Sequence, residues 1–219
     1  MRRSIVALLL AVTAPAVFTS VAFAQYPGSR PGFGQQPQTW VGLSVGFIDG
    51  MTIDDGQTAS EWQFGYSTQV RASLEMAVQG DMTVGLAGGF STAPLVYSSY
   101  DGFGECAFSC TGHADITQIL GTLRGGGGLG LHGIYELEAG VTEFSNFRED
   151  FSNVQLPPNS RWDFSFAFGG GVGYGLAGMG EIFAAEEIGT VLQANNDNNN
   201  IQVNPPRIFT TRIGWRYGF

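Results

Sequence analysis

His113 and Asp115 are the residues of this chain whose types and spacing come nearest to a catalytic pair. They lie two positions apart, and Ser109 and Thr111 come just before them. A histidine that activates a hydroxyl, with an acid that orients the histidine, is the arrangement used in acyl transfer and ester hydrolysis. Such residues are also common at the polar rim of a strand, and the surrounding sequence lacks the further motifs of those enzymes. We therefore predict no catalytic residues and no enzyme activity.

The two cysteines could serve either a metal or a disulfide. Cys106 and Cys110 lie close to Glu105 and His113, which could complete a set of metal ligands. Two cysteines four positions apart with scattered partners do not match the usual zinc spacing. In an exported chain a pair of cysteines more often forms a disulfide. The sequence therefore predicts a disulfide between Cys106 and Cys110, and no metal.

Two runs of low complexity resemble ligand-binding loops only in composition. Arg124–Gly130, RGGGGLG, lacks the GK[ST] ending of a phosphate-binding loop. Asn195–Asn200, NNDNNN, lacks the spaced acids of a calcium loop. His132 follows the first run and is predicted to lie in a solvated turn. These runs predict no cofactor.

The start of the chain is typical of an export signal. A basic start precedes an apolar run over Ile5–Phe18, and small residues stand at Ala22 and Ala24. We predict that residues 1–24 are a cleaved signal peptide and that 25–38, rich in Pro, Gly and Gln, form a flexible leader. The chain is thus expected to leave the cytoplasm.

Net charge excludes one class of partner. The formal net charge is −9, and all ten basic residues are arginine. A chain this acidic repels phosphate backbones, so we expect no nucleic-acid partner.

From residue 39 onward the sequence alternates with period two, which is the period of a strand. In Glu61–Val78 the even positions are mostly apolar or aromatic and the odd positions mostly polar or small. Eight strands are predicted: Thr39–Ile48, Glu61–Val78, Met82–Thr92, Ala114–Leu123, Tyr135–Thr142, Arg161–Tyr174, Ile182–Val191 and Arg207–Phe219. For Ala114–Leu123 and Ile182–Val191 either set of alternate residues could form the apolar face.

The connections and the two faces favour a membrane barrel. Long polar connections alternate with short Gly-containing ones, as in an up-and-down transmembrane barrel. The polar face is mostly Gly, Ser, Ala, Thr and Gln, which suits a crowded interior, whereas the aromatic-rich face needs lipid to cover it. A soluble barrel or sandwich is the alternative.

The end of the chain carries the most specific motif. Arg212-x-Gly214-x-x-Tyr217-x-Phe219 resembles the C-terminal signal of bacterial outer-membrane barrels. From Thr39 onward the chain is similar to the small eight-stranded family that includes OmpA-type membrane domains, OmpX and the opacity proteins.

This resemblance implies an all-β fold, an eight-stranded antiparallel up-and-down transmembrane β-barrel over residues 39–219, in the bacterial outer membrane. It implies contact with outer-membrane lipid and lipopolysaccharide, and an assembly signal that the barrel-assembly machinery reads. A monomer is expected. The implied role is structural, with cell-surface interaction through long extracellular loops whose partner the sequence does not name. The alternatives are an outer-leaflet lipid-modifying enzyme and a small-solute channel.

Charged residues on the polar face are expected to pair inside the barrel, because an isolated charge there would be costly. One predicted layer holds Arg71, Glu138 and Arg212. A second layer, nearer the periplasm, holds Glu75, Glu136 and Arg216.

Outward aromatic residues are expected to mark the two membrane surfaces. The predicted periplasmic girdle consists of Tyr135, Tyr174, Tyr217 and Phe219. Trp62 and Trp162 are predicted in the outer girdle. Both termini are expected on the periplasmic side, since an even number of strands returns the chain to its starting side.

Overall fold

The computed structural model describes residues 38–56, 58–100, 106, 109–177, 180–192 and 206–219. The predicted signal peptide, nearly all of the leader, and the run at 195–200 lie outside these residues. The described strands are β1 (Thr39–Ile48), β2 (Thr52–Asp55), β3 (Ser60–Phe64), β4 (Ser67–Gln79), β5 (Met82–Ser99), β6 (Ser109–Gly125), β7 (Gly130–Glu149), β8 (Ser160–Leu176), β9 (Gly180–Leu192) and β10 (Arg207–Gly218). No described helix is long and apolar enough to cross a membrane.

The strands close into one antiparallel barrel. β1 pairs with β4 on one side and β10 on the other, each later strand pairs with the next along the chain, and β5 with β6 completes the ring. β3 continues the line of β4 beside β5, and β2 forms a hairpin with β3. The wall therefore has eight positions, which confirms the predicted eight-stranded up-and-down barrel.

The two ends of the barrel differ. The first and last strands meet where the backbone N–H of Thr39 donates to the carbonyl of Phe219 at 3.1 Å. The short connections β4–β5, β6–β7 and β8–β9 lie at this end, which we call the turn end. The long connections lie at the opposite end, which we call the loop end.

The apolar face of the wall points outward. In β1, Leu43 and Phe47 are exposed while Ser44 is buried, and the same alternation runs around the barrel. Such a surface would be unfavourable in water but is matched to hydrocarbon, where a closed barrel leaves no strand edge unpaired. We call this surface the lipid-facing band.

At the loop end the apolar residues lie on the inward face of the wall instead of the outward face. In β5 the residues beyond Phe90 turn Ala93, Leu95 and Tyr97 inward and Thr92 outward. These inward residues join an apolar core inside the barrel mouth. Its members are Ile48, Met51, Ile53, Trp62, Phe64, Ala93, Leu95, Tyr97, Cys106, Ala114, Ile116, Phe144, Phe147, Leu156, Val191 and Ile208. This part, which we call the loop-end domain, is packed like a water-soluble protein.

A bulge changes which residues of the second wall position face inward. Phe64 is paired with Leu95 and Gln69 with Ser91, so four residues face three between these pairs. The extra residue exchanges the two faces of the strand. Trp62 is therefore completely buried inside the barrel, and its predicted place in the outer girdle is wrong.

The other predicted girdle residues face outward. Trp162, Tyr174, Tyr217 and Phe219 are between 41% and 66% exposed. Tyr135 is half-buried, and its ring covers Gly125, where a β-carbon would clash with it.

β6 and β9, the two strands whose apolar face was ambiguous in the sequence, have apolar residues on both faces. β6 turns Ile116 inward near the loop end but Ile119 outward in the lipid-facing band. Both alternate sets therefore contain apolar residues. β5 and β7 also run beyond the predicted limits, to Ser99 and Glu149, into the connections between the predicted strands.

Candidate functional site

A charged cluster fills the turn-end half of the barrel interior. β4, β6, β7, β9 and β10 each place charged side chains inward by alternation. The cluster has four arginines and five glutamates: Arg71, Glu75, Arg124, Glu136, Glu138, Glu181, Glu187, Arg212 and Arg216. All nine are buried. An eight-stranded barrel has an interior about as wide as its side chains, so these groups must contact one another.

Arg212 is the centre of the layer nearer the loop end. Its Nε donates to Glu187 Oε1 at 2.6 Å, its Nη2 pairs with Glu136, and Glu138 Oε1 lies 3.8 Å from Nη2. Arg71 Nη1 donates to Glu138 Oε2 at 2.9 Å and lies 3.6 Å from Glu187. The structure thus brings together the predicted first layer and adds Glu187 to it.

The second layer lies nearer the turn end. Arg216 Nη1 donates to Glu75 Oε2 at 3.1 Å, and its Nη2 donates to Glu181 Oε2 at 3.0 Å. Arg124 Nη1 donates to Glu136 Oε1 at 2.9 Å, and Arg124 also pairs with Glu181.

Glu136 does not occupy the place predicted for it. It was expected to join Glu75 and Arg216 in the second layer, but its carboxylate accepts from Arg124 and Arg212. The strands are tilted, so residues at equal distance from their turns in sequence lie at different heights in the barrel. Glu136 therefore connects the two layers.

His132 extends the cluster to the turn end. Its Nε2 lies 3.1 Å from Glu181 Oε2 and its Nδ1 lies 2.9 Å from the carbonyl oxygen of Gly130. The imidazole crosses β8 at Gly173, where a β-carbon would lie 2.6 Å from Nε2. The side chain is only 11% exposed. The prediction of a solvated His132 is wrong.

Aromatic rings pack against the guanidinium groups. Arg124 lies over the ring of Phe183 at 4.3 Å, and Arg212 lies 5.3 Å from the same ring. Arg216 lies over Trp40 at 4.5 Å. Cation–π contacts are strongest where water is excluded, so these rings support the cluster as well as filling space.

Three members of the cluster were missed in the sequence. Arg124 lies on β6, and Glu181 and Glu187 lie on β9, the two strands whose faces the sequence left ambiguous. Arg124 lies an even number of positions from Thr122, as Glu181 does from Glu187, so the residues of each pair face the same side of their strand. This pattern could have identified them once the inward face was known.

The charged groups of the cluster leave little open space between them. Two cavities in the described part of the barrel have volumes of about 10 and 20 Å³, room for about one water each. Carboxylate oxygens of Glu136, Glu138 and Glu187 lie within 4.8 Å of one another, a spacing that suits a cation. Arg71 and Arg212 already bring their positive charges to these oxygens.

A neutral hydrogen-bonded belt lies between the cluster and the apolar core. Gln69 donates to Gln118 at 2.7 Å, Gln118 donates to Thr142 at 3.3 Å, and Thr142 donates to Ser165 at 2.9 Å. The belt joins side chains of four strands, β4, β6, β7 and β8, and passes across β5. It satisfies polar groups that would otherwise be costly in a closed interior.

Known proteins with the same architecture are similar in structure and not in sequence. No protein-family model matches the chain, and no curated protein matches it in sequence. Neisserial surface protein A superposes with a TM-score of 0.51 at 11% identity, over 85% of this chain and all of that one. The chain has the fold of a small outer-membrane β-barrel.

Two further structures, both from Pseudomonas aeruginosa, are similar more loosely. OprG gives a TM-score of 0.46 at 12% identity, over 85% of this chain and 99% of OprG. The N-terminal β-barrel domain of OprF gives 0.42 at 12% identity, over 83% of this chain and all of that domain.

The outer-membrane fold places His113 and Asp115 outside the barrel, near its loop end. His113 Nδ1 lies 3.0 Å from Asp150 Oδ1. Asp115 accepts from Thr92 Oγ1 at 2.7 Å and from Asn146 Nδ2 at 3.0 Å. Among the described contacts none joins His113 to Asp115, so this pair does not form the histidine–acid arrangement considered from the sequence.

The predicted disulfide is confirmed. Cys106 and Cys110 are bonded, with a Cα–Cα distance of 5.8 Å. Cys106 is buried in the apolar core, and Cys110 is paired with Tyr97 in the β5–β6 ladder. The bond therefore joins Cys106 in the apolar core to Cys110 on β6.

The C-terminal motif divides between the two faces of the barrel wall. Arg212 and Gly214 face inward, and Gly214 lets Phe183 and Ser44 approach the backbone. Tyr217 and Phe219 face outward with ring centroids 6.4 Å apart. The motif thus supplies both the central cation of the cluster and an exposed aromatic surface.

Proposed function

We propose that the chain is an integral protein of the bacterial outer membrane whose barrel is sealed and whose loop-end domain is a cell-surface interaction site. The turn end, where Thr39 meets Phe219, faces the periplasm. The lipid-facing band contacts lipid and lipopolysaccharide. The barrel-assembly machinery reads Arg212, Gly214, Tyr217 and Phe219 in the last strand.

Phe151 is the observation that carries the interaction role. It lies between β7 and β8 at the loop end and is 99% exposed. A fully exposed aromatic side chain contributes little to the fold and becomes buried only when a partner covers it.

The segment that presents Phe151 is anchored on both sides. The Glu149 carboxylate accepts from the backbone and hydroxyl of Ser152, and these hydrogen bonds hold the pKa of Glu149 below its usual value. Asp150 contacts His113, and Leu156 is buried in the apolar core. A pre-ordered segment loses little conformational entropy on binding, which favours a recognition site.

Replacing Phe151 with serine is expected to abolish surface interaction without affecting the fold. Bacteria that display the parent chain or the variant would be compared for binding to an array of immobilised glycans and extracellular-matrix proteins. Leu129→Ser at the turn end, where Leu129 is 62% exposed, is the matched control. A parent signal that Phe151→Ser leaves intact, or an array that the parent does not bind above barrel-free cells, contradicts the interaction role.

The sealed interior predicts that the parent protein shows no steady ion conductance in planar bilayers. The cluster leaves room for single waters, and its charges are held by opposite charges. The double variant Arg71→Ser/Glu138→Ser removes one cation and one anion together and is expected to conduct, because it widens the lumen without an unpaired charge. Steady conductance of the parent protein would establish a channel instead.

A further inference from the structure

A charged side chain lies within the lipid-facing band. Glu186 lies on the outward face of β9, between outward Ala184 and Ile188. Arg207 also faces outward, but it is the first residue of β10 at the loop end, whereas Glu186 lies in the middle of β9. A carboxyl group at this depth is costly unless a protein group hydrogen-bonds it, so its usual explanation is a partner in the membrane.

The barrel itself supplies no such partner. No described ion pair or side-chain hydrogen bond involves Glu186. Its cross-strand neighbours are Gly170 on β8, which has no side chain, and Thr211 on β10, whose short side chain is exposed. The cross-strand neighbours of Glu186 are therefore small, and the surface of another protein can approach the carboxyl group closely.

We propose that this surface is the contact between two copies of the chain in the membrane. Both copies have the same orientation in the bilayer, so a two-fold axis along the membrane normal relates them. When the two copies face each other, this axis places the residue on one side of the contact in the first copy opposite the residue on the other side in the second copy. Glu186 and Thr211 are direct cross-strand partners, so Glu186 of each copy meets Thr211 of the other.

The chemistry of the face is complementary to itself. The Thr211 hydroxyl donates to the Glu186 carboxyl of the second copy, and the same bond forms a second time. Nearer the loop end, Arg207 and Thr190 are also cross-strand partners on the outward face, but the tilt of the strands carries them sideways from the two-fold axis, so they lie outside the contact. Ile188 and Phe209 lie between the two polar rows and supply apolar contact. A monomer, expected from the sequence, would leave Glu186 in lipid.

Cysteine pairs test the geometry. Chains carrying Glu186→Cys and chains carrying Thr211→Cys, with different tags, would be reconstituted together in lipid vesicles and oxidised. The mixed disulfide is expected to dominate. Val84→Cys with Leu123→Cys is the matched control, because these residues are outward cross-strand partners on the opposite wall. Equal cross-linking of the two faces would overturn the proposal.

Energy transfer between labelled copies, measured as protein is diluted in lipid, tests the chemistry. Glu186→Leu is expected to weaken association about tenfold, since two symmetric hydrogen bonds within the membrane are lost. Glu186→Gln, which keeps an acceptor, is expected to lose less. Glu186→Leu should fold normally because it removes a charge from a lipid-facing surface.

Three results would overturn the proposal: unchanged association of Glu186→Leu, a parent chain that stays single at every dilution, and cross-linking of Glu186→Cys only to a different protein in native membranes.

Discussion

Replacing Arg212 with methionine is expected to destabilise the barrel by about 3–5 kcal/mol, the usual cost of leaving buried charges without their partner. Arg212 is 5% exposed and contacts Glu136, Glu138 and Glu187. Methionine fills much of the same volume, so the loss comes from electrostatics rather than from a cavity. Three carboxylates that lie within 4.8 Å of one another would lose their common cation.

Urea unfolding in detergent micelles and heat-modifiable mobility on gels would measure the change. Arg207→Met is the control, because Arg207 lies on the same strand but is exposed. It should change stability by less than about 0.5 kcal/mol. Adding Glu187→Gln to Arg212→Met should restore part of the loss, since one uncompensated charge is removed.

Arg212→Lys should be intermediate, because an ammonium group cannot place its donors as a planar guanidinium does. An Arg212→Met protein as stable as the Arg207→Met control would show that the cluster does not hold the barrel together.

Replacing Trp62 with alanine is expected to cost about 3–5 kcal/mol, as for other large aromatic residues removed from a core. The indole is completely buried and lies 4.8 Å from the ring of Phe147 and 6.1 Å from that of Phe144. Its Nε1 donates to Ser60 Oγ at 2.9 Å. The alanine variant would lose these contacts and leave the Ser60 hydroxyl without its donor.

The effect of Trp62→Ala should be confined to the loop-end domain. The charged cluster and the strand pairs of the lipid-facing band lie below it and do not depend on Trp62. Amide hydrogen exchange is therefore expected to speed up in β2 and β3, while β9 and β10 keep their protection. Trp162→Ala is the control, since Trp162 is 53% exposed on the outer wall and packs against no core. Equal exchange in the two variants would contradict the inward position of Trp62.

The sequence was sufficient for the class of fold and for the faces of most strands. Alternation in β1, β8 and β10 separates apolar from small and polar residues, and only lipid can cover a surface such as Trp162, Phe164 and Phe166. It also allowed Arg71, Glu138 and Arg212 to be expected on the inward face. These inferences depend on the period of a single strand, which is a local property of the chain.

Trp62 and Glu136 show where local reasoning ended. Trp62 shares its parity with the outward residues of β4 in the sequence, but the bulge after Phe64 places it inside. Glu136 meets Arg124 and Arg212, which lie on β6 and β10. The height of a side chain in a barrel depends on strand tilt, on stagger and on each bulge, and none of these appears in the alternation of one strand.

By itself the sequence determined that this chain is a membrane barrel with a polar interior. Strands with one apolar face can cross lipid only as a closed barrel, because only then are all of their backbone hydrogen bonds formed. Only the tertiary structure decided that the apolar residues turn inward again above the band, that nine charges form one cluster, and that Glu186 faces lipid. β6 and β9 carry apolar residues on both faces, so their orientation came from the strands beside them. The pairing of strands depends on residues that are distant in sequence. It is determined by how well the buried charges pair and the apolar groups pack across all eight wall positions.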